Sequence, residues 1–176
     1  MQYRRVKIKG GCFFFTVNLA DRSSHLLIDH ADVLRRVMRS VRMIHPFNIV
    51  AIVVLPEHLH CVWKLPEGDA DYPTRWSLIK AGFSRSLPTV ESIGSSRLRK
   101  RERGIWQRRY WEHQIRDDED MRRHIDYIHY NPVKHRHVSR ASDWAYSSLH
   151  RYIRKGVMPH DWGIGASDDA EVFGER

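Results

Sequence analysis

"VVLPEHLHCVW" occupies residues 53–63, and how it is read decides the fold. Val53-Val54-Leu55 closes an apolar, β-branched run that begins at Phe47. Pro56-Glu57 is a tight break, and His58 to Leu65 forms a second apolar run. Two such runs either side of a turn predict a β-hairpin. On a strand, residues two apart share a face, so His58 and His60 point one way and Leu59 points the other way, into a core. Two imidazoles side by side suit a divalent metal. The spacing alone is a weak signal. With 12 histidines in 176 residues, chance supplies such a pair, and His135-Arg136-His137 is a second one. That second pair lies in a polar stretch and reads as a solvated or phosphate-touching loop. A structural or surface pair is the bland alternative for His58 and His60.

Upstream, Cys12 to Leu19 alternates as a strand does, with Phe13, Phe15, Val17 and Leu19 on one face. Asp29 then reads as a helix N-cap with Asp32 close behind. Val33, Val37, Val41 and Ile44 recur at helical spacing, with Arg35, Arg36, Arg39 and Arg42 on the outer face. Pro46 ends that helix. Downstream of the hairpin, Pro73 suits a first helical turn. Tyr72, Trp76, Ile79, Phe83 and Leu87 make this helix's apolar stripe, and Gly82 weakens it by about 1 kcal/mol relative to Ala.

Residues 88–104 break the pattern with Gly, Ser and a dense basic cluster, as a flexible loop would. Ile105 to Ile115 reads as a fourth strand. Asp117-Asp118-Glu119-Asp120 caps and charges the start of a third helix. Met121, Ile125 and Ile128 form its apolar stripe, and Asn131-Pro132 ends it. A short last helix is expected from Asp143 to Arg154. The order strand, helix, strand, strand, helix, strand, then further helices, predicts an α+β ferredoxin-like sandwich with an antiparallel sheet and extra C-terminal helices. Residues 1–162 read as a single domain and 163–176 as an acidic tail.

The chain carries a formal net charge of +9, which points to a polyanionic partner, nucleic acid above all, against the alternative of a plain basic surface. No apolar run reaches the ~18–20 residues that span a bilayer, and the apolar stretch after Gly10-Gly11 is too short for a secretory leader. Cys12 and Cys61 sit in strand-like apolar runs, where buried thiols and a reducing cytosol are the simple reading. In "HIDYIHYNP", residues 124–132, His124, Tyr127 and Asn131 fall on one helical face. The apolar stripe lies on another side, so this helix is expected to pack through its back and present a polar face.

These segments resemble the REP-associated tyrosine transposases, a branch of the single-tyrosine HUH transposases. The likeness runs through "YRRVKIKGGCFFFTVNLADR", "VVLPEHLHCVWKLPEGD", "IWQRRYWEHQIRD", "HIDYIHYNPVKHRHV" and "SDWAYSSLHRY", in that order. The resemblance implies a metal-dependent single-stranded DNA endonuclease and strand transferase acting at REP-type hairpins. His58 and His60 take the place of the metal-binding histidines, Tyr127 that of the nucleophile, and Asn131 that of the side-chain amide completing the metal site. The implied metal is Mg2+ or Mn2+, and two imidazoles suit Mn2+ better. The product would be a 5′-phosphotyrosine. His124 lies on the tyrosine's face, where it could tune the site. Glu57 reads as solvent-facing charge.

Candidate DNA contacts are Arg4, Arg5, Lys7 and Lys9 in an N-terminal arm, and Arg97, Arg99, Lys100, Arg101, Arg103, Arg108 and Arg109 in a second cluster. Trp106, Tyr110 and Trp111 are placed either for base stacking or in the core. The implied partner is single-stranded or hairpin DNA and the implied compartment the cytoplasm, at the nucleoid; no membrane is involved. The oligomeric state stays open, with a monomer preferred. Two alternatives remain: a non-catalytic nucleic-acid-binding protein of the same fold, and a histidine-metal hydrolase, which the +9 charge disfavours.

Overall fold

A computed structural model describes residues 8–89 and 103–164. Four strands, β1 (Cys12–Asn18), β2 (Asn48–Val54), β3 (His58–Lys64) and β4 (Trp111–Gln114), make one sheet in the order β2-β3-β1-β4, every neighbour antiparallel. Among the described residues five helices accompany it: α1 (Leu26–Asp29), α2 (Ala31–Ile44), α3 (Tyr72–Arg85), α4 (Asp118–Lys134) and α5 (Leu149–Arg154). The hairpin β2–β3 and this strand order are those of the expected ferredoxin-like sandwich.

The sheet is buried on both faces, because β1 and β3 carry apolar residues at successive positions. Phe13, Phe15, Val17, Leu59, Cys61 and Trp63 face one way and pack with Leu34, Trp76, Ile79 and Phe83 from α2 and α3. Phe14, Ala51, Val53 and Val62 face the other way and pack with Tyr127 and Ile128 of α4. Gly82 permits the close approach of α2 and α3: a Cβ there would stand 2.8 Å from Val37 Cγ1. Its helix-weakening backbone is therefore the cost of that contact.

Several boundaries differ from the sequence expectation. Asp29 does not cap the first long helix. It closes the turn of α1, whose buried Leu27 donates its backbone N–H to Pro56 O, and α2 starts after His30. The fourth strand is only Trp111–Gln114. Residues 105–110 follow the end of β1 instead, through Ala20 N–H to Ile105 O, Gln107 N–H to Asn18 O and a bridge between Leu19 and Trp106. The expected last helix is a 3-10 turn (Ala141–Asp143) and α5, because the residues between them lie along the free edge of β2. There Val54 N–H bonds Tyr146 O, Ser148 N–H bonds Ile52 O and Trp144 Nε1–H bonds Val54 O. Arg151 and Tyr152 cover more edge carbonyls at Ile49 and Val50. Covered edges resist pairing with other chains.

Finally, α4 continues through Pro132 to Lys134. Proline removes only one helical N–H, and the terminal carbonyls are taken up by His135 N–H to Asn131 O, Arg136 N–H to Val133 O and His137 N–H to Pro132 O. Burial of both Asn131 and Pro132 rewards the continuation.

Candidate active site

β3 brings His58 and His60 to the face of the sheet covered by α4, and both are fully buried. Their rings stand 4.8 Å apart, centroid to centroid, nearly perpendicular. Each Nδ1 has a neighbour that orients its ring. Glu57 Oε1 accepts from His58 Nδ1–H at 2.8 Å, and His60 Nδ1 lies 2.9 Å from Thr16 Oγ1 on β1. Glu57, expected to face solvent, is the ring-orienting carboxylate, and the sequence reading missed that role. The signal was its adjacency to His58 at the hairpin turn, where the chain folds its side chain back on its neighbour.

Burial pushes the His58 ring below the ordinary imidazole range, against the pull of Glu57. Burial alone would raise the Glu57 carboxyl. The hydrogen bond and charge of His58, helped by Arg22 at 3.6 Å, outweigh it and hold the carboxyl at about 2. A neutral His58 donating through Nδ1 keeps its Nε2 lone pair available. That Nε2 is buried with no hydrogen-bond partner, which is the condition of a nitrogen built to meet an electrophile.

α4 supplies the opposing wall, and its packing corrects the sequence reading. The helix is not docked by its back. Its buried residues are Asp120, His124, Tyr127, Ile128, His129, Asn131 and Pro132, so the polar face lies against the sheet, while Met121 and Ile125 are only partly buried. The Tyr127 ring stands 5.2 Å from that of His60 and 6.0 Å from that of Phe14. Lys134 Nζ lies 4.7 Å from the Tyr127 ring centroid. Asn131, one turn after Tyr127, is fully buried on the same face. Sheet and helix thus bring His58, His60, Tyr127 and Asn131 together. His135, read from sequence as part of a solvated or phosphate-touching loop, is the C-cap residue of α4 and places its ring 5.2 Å from that of His58.

His124 is buried one turn before Tyr127, its ring 4.8 Å from both Phe14 and His113. With His113 and Asp120 it brings ligand atoms within 4.8 Å of one another, close enough to hold a metal ion. In the structure these groups bond among themselves. His113 Nε2–H donates to Asp120 Oδ2 at 2.8 Å, and His124 Nδ1–H donates to Asp120 O at 2.7 Å. Burial alone would raise the Asp120 carboxyl; the His113 bond, the Arg116 N–H and nearby ring charge hold it at about 2. Asp120 therefore ties the start of α4 to β4. Farther along, His129 Nε2 meets Ser148 Oγ at 2.9 Å, beside the covered β2 edge.

Of the expected DNA contacts, Arg4, Arg5, Lys7, Arg97, Arg99, Lys100 and Arg101 lie outside the described residues, as does the acidic end of the tail. Lys9, Arg108 and Arg109 are exposed. Arg103 bonds the carbonyls of Ser84, Leu87 and Pro88 and so anchors the segment that carries Trp106. Trp106 is a core residue, and Trp111 is half-buried against Phe14. Among the described residues no helix is long and apolar enough to cross a membrane.

No family model matches the chain. It is 46% identical over 167 residues to the REP-associated tyrosine transposase of Escherichia coli K12, covering 95% of this chain and 93% of that protein. A Haemophilus influenzae protein bearing the same family name is 44% identical over 174 residues, 98% of both chains. A solved structure of a REP-associated tyrosine transposase bound to a REP hairpin superposes with a TM-score of 0.84 at 45% identity, covering all of this chain and 98% of that one.

Proposed function

The chain belongs to the REP-associated tyrosine transposases, and from that membership we propose that it cuts and rejoins single-stranded DNA at REP-type hairpins through Tyr127. The observation that carries this reading is the meeting of Tyr127 with two buried, pre-oriented histidines across one sheet–helix boundary. His58 Nε2, a buried nitrogen with no hydrogen-bond partner, fits a metal ligand, with His60 Nε2 and the Asn131 side-chain oxygen completing the set. A divalent metal there, Mg2+ or Mn2+, supplies charge neutralisation at the scissile phosphate. Two neutral nitrogens and one amide leave its charge intact, which favours binding of an anionic phosphate, and the imidazoles favour Mn2+.

Tyr127 supplies the nucleophile. A free phenol titrates near ~10 and is a weak nucleophile at neutral pH, so attack needs help at the phosphorus. As the Tyr127 Oη–P bond forms, the P–O3′ bond breaks and the departing 3′ oxygen takes up a proton. The products are a 5′-phosphotyrosine and a free 3′-hydroxyl. The reverse step, by a second 3′-hydroxyl, releases Tyr127 and joins the strands, so one phosphoester is exchanged for another and no nucleotide fuel is required. Lys9, Arg108 and Arg109 carry charge suited to the DNA backbone. On this reading residues 1–162 are one catalytic unit with an acidic tail appended, working on DNA in the cytoplasm at the nucleoid.

The test is a covalent-adduct assay. Incubated with Mn2+ and a labelled REP-type hairpin bearing a single-stranded flank, the protein should give an adduct that survives denaturing electrophoresis. Tyr127→Phe should give none while still binding the DNA. An adduct with the Phe variant refutes the assignment of the nucleophile.

A further inference from the structure

Asn131-Pro132 marks the end of α4 by sequence, yet the helix carries on to Lys134, and that continuation sets a cation beside Tyr127. Tyr127, Asn131 and Lys134 stand at i, i+4 and i+7, one stripe of the helix surface. Lys134 Nζ lies over the Tyr127 ring, 4.7 Å from its centroid. The lysine is half-buried and the tyrosine buried, while His60 and Phe14 close other sides of the ring. The last turn is held in shape by His135, Arg136 and His137, whose N–H groups bond the carbonyls of Asn131, Val133 and Pro132. A helix C-terminus also carries partial negative charge, which favours an ammonium there.

In the resting protein a cation over an aromatic face adds modestly to stability. The reaction asks more of it. As Tyr127 Oη gives its proton to water, its electron pair forms the bond to phosphorus, and negative charge spreads over the oxygen, the ring and the phosphate. The P–O3′ pair leaves with the 3′ oxygen, which takes up a proton. A cation already in place meets that charge as it develops, with no reorganisation at the moment of reaction. When a 3′-hydroxyl attacks the adduct, the Oη–P bond breaks and the charge returns to the phenolic oxygen beside the same ammonium. We propose that Lys134 is a catalytic residue, whose ammonium stabilises the negative charge on the Tyr127 oxygen and the adjoining phosphate in the transition states of both cleavage and rejoining. The inference rests on the nucleophilic role proposed above for Tyr127.

The experiment measures single-turnover adduct formation at saturating Mn2+ and saturating labelled hairpin, beside the Kd of the same hairpin by anisotropy. Lys134→Met keeps an apolar stem and removes the charge. It should slow adduct formation on the order of 30- to 100-fold and move Kd by less than about threefold. Lys134→Arg, which keeps the charge and can lie against an aromatic face, should recover most of the rate. Rejoining, started by adding a 3′-hydroxyl strand to the purified adduct of the Met variant, should slow to a similar degree. Thermal melts of both variants confirm folding. An unchanged rate in the Met variant overturns the inference. So does a loss confined to Kd, which marks an ordinary phosphate contact, or an equal rate loss in folded Met and Arg variants, which marks a packing role. Normal adduct formation by wild type and Met variant alike sinks Lys134 alone, whereas a wild type that forms no adduct sinks the reading of Tyr127 with it.

Discussion

Glu57 shows how much one side chain next to a proposed metal ligand can decide. Its carboxylate holds the His58 ring through the hydrogen bond at Nδ1. Partners of this kind, when removed, cost about 10–100-fold in metal affinity. Glu57→Ala should therefore weaken Mn2+ binding by that order, read by calorimetry or by the metal's electron-spin resonance. Glu57→Gln, which keeps an acceptor oxygen, should lose less. An unchanged affinity in Glu57→Ala would detach the histidine pair from metal binding. From sequence, the faces of His58 and His60 were legible, because strand periodicity is geometric. The second role of Glu57 was not, since it depends on how a side chain folds back at a turn.

At the scale of elements, the α2–α3 contact gives a prediction opposite to propensity. Gly→Ala inside a helix ordinarily stabilises by about 1 kcal/mol. At Gly82 the new Cβ meets Val37 Cγ1 at 2.8 Å, and a valine branch has little room to swing away. Gly82→Ala should lower the unfolding midpoint in a thermal melt, and Val37→Ala in the same chain should recover part of the loss; a more stable single variant would refute the contact. The apolar stripes of α2 and α3 and the N-cap Asp117 were readable in advance, because each is a local pattern. The docking of α4 was not. A face carrying Asp120, His124, Tyr127 and Asn131 reads as exposed by composition, and only the partners waiting on β1, β3 and β4 make its burial tolerable. Residues 105–110 misled for a related reason: they have strand composition, and Trp106 is drawn into the α3-side core while the ladder itself begins at Trp111.

For the whole molecule, burying imidazoles has a consequence for acid stability. His129 is fully buried against Ser148, and burial, with Arg151 and His150 adding to it, pushes its ring down to about 3. The folded state holds this ring neutral, while the unfolded chain protonates it near the ordinary value of 6.5. Stability from this group is thus complete above pH 6.5 and is lost as pH falls toward 3, at up to about 1.4 kcal/mol per pH unit. His58 and His124 shift in the same direction and add to the slope. Urea unfolding should show stability falling from about pH 6.5 to 5, and His129→Gln should flatten the curve by about one proton's share; an unchanged slope would show that this ring is not held neutral.

α4 is fastened near its start to β4 through Asp120 and His113, and in its second half to the β2-edge segment through His129 and Ser148. The proposed nucleophile, Tyr127, is mounted between these two fastenings and has no arm on which to travel. In the proposed reaction the captured 5′ end stays where it was cut, so rearrangement becomes a problem of polymer diffusion: the released 3′ end must wander off and a competitor must arrive. The outcome, resealing or transfer, is then set by the relative local concentrations of strand ends, which the length and slack of the DNA control.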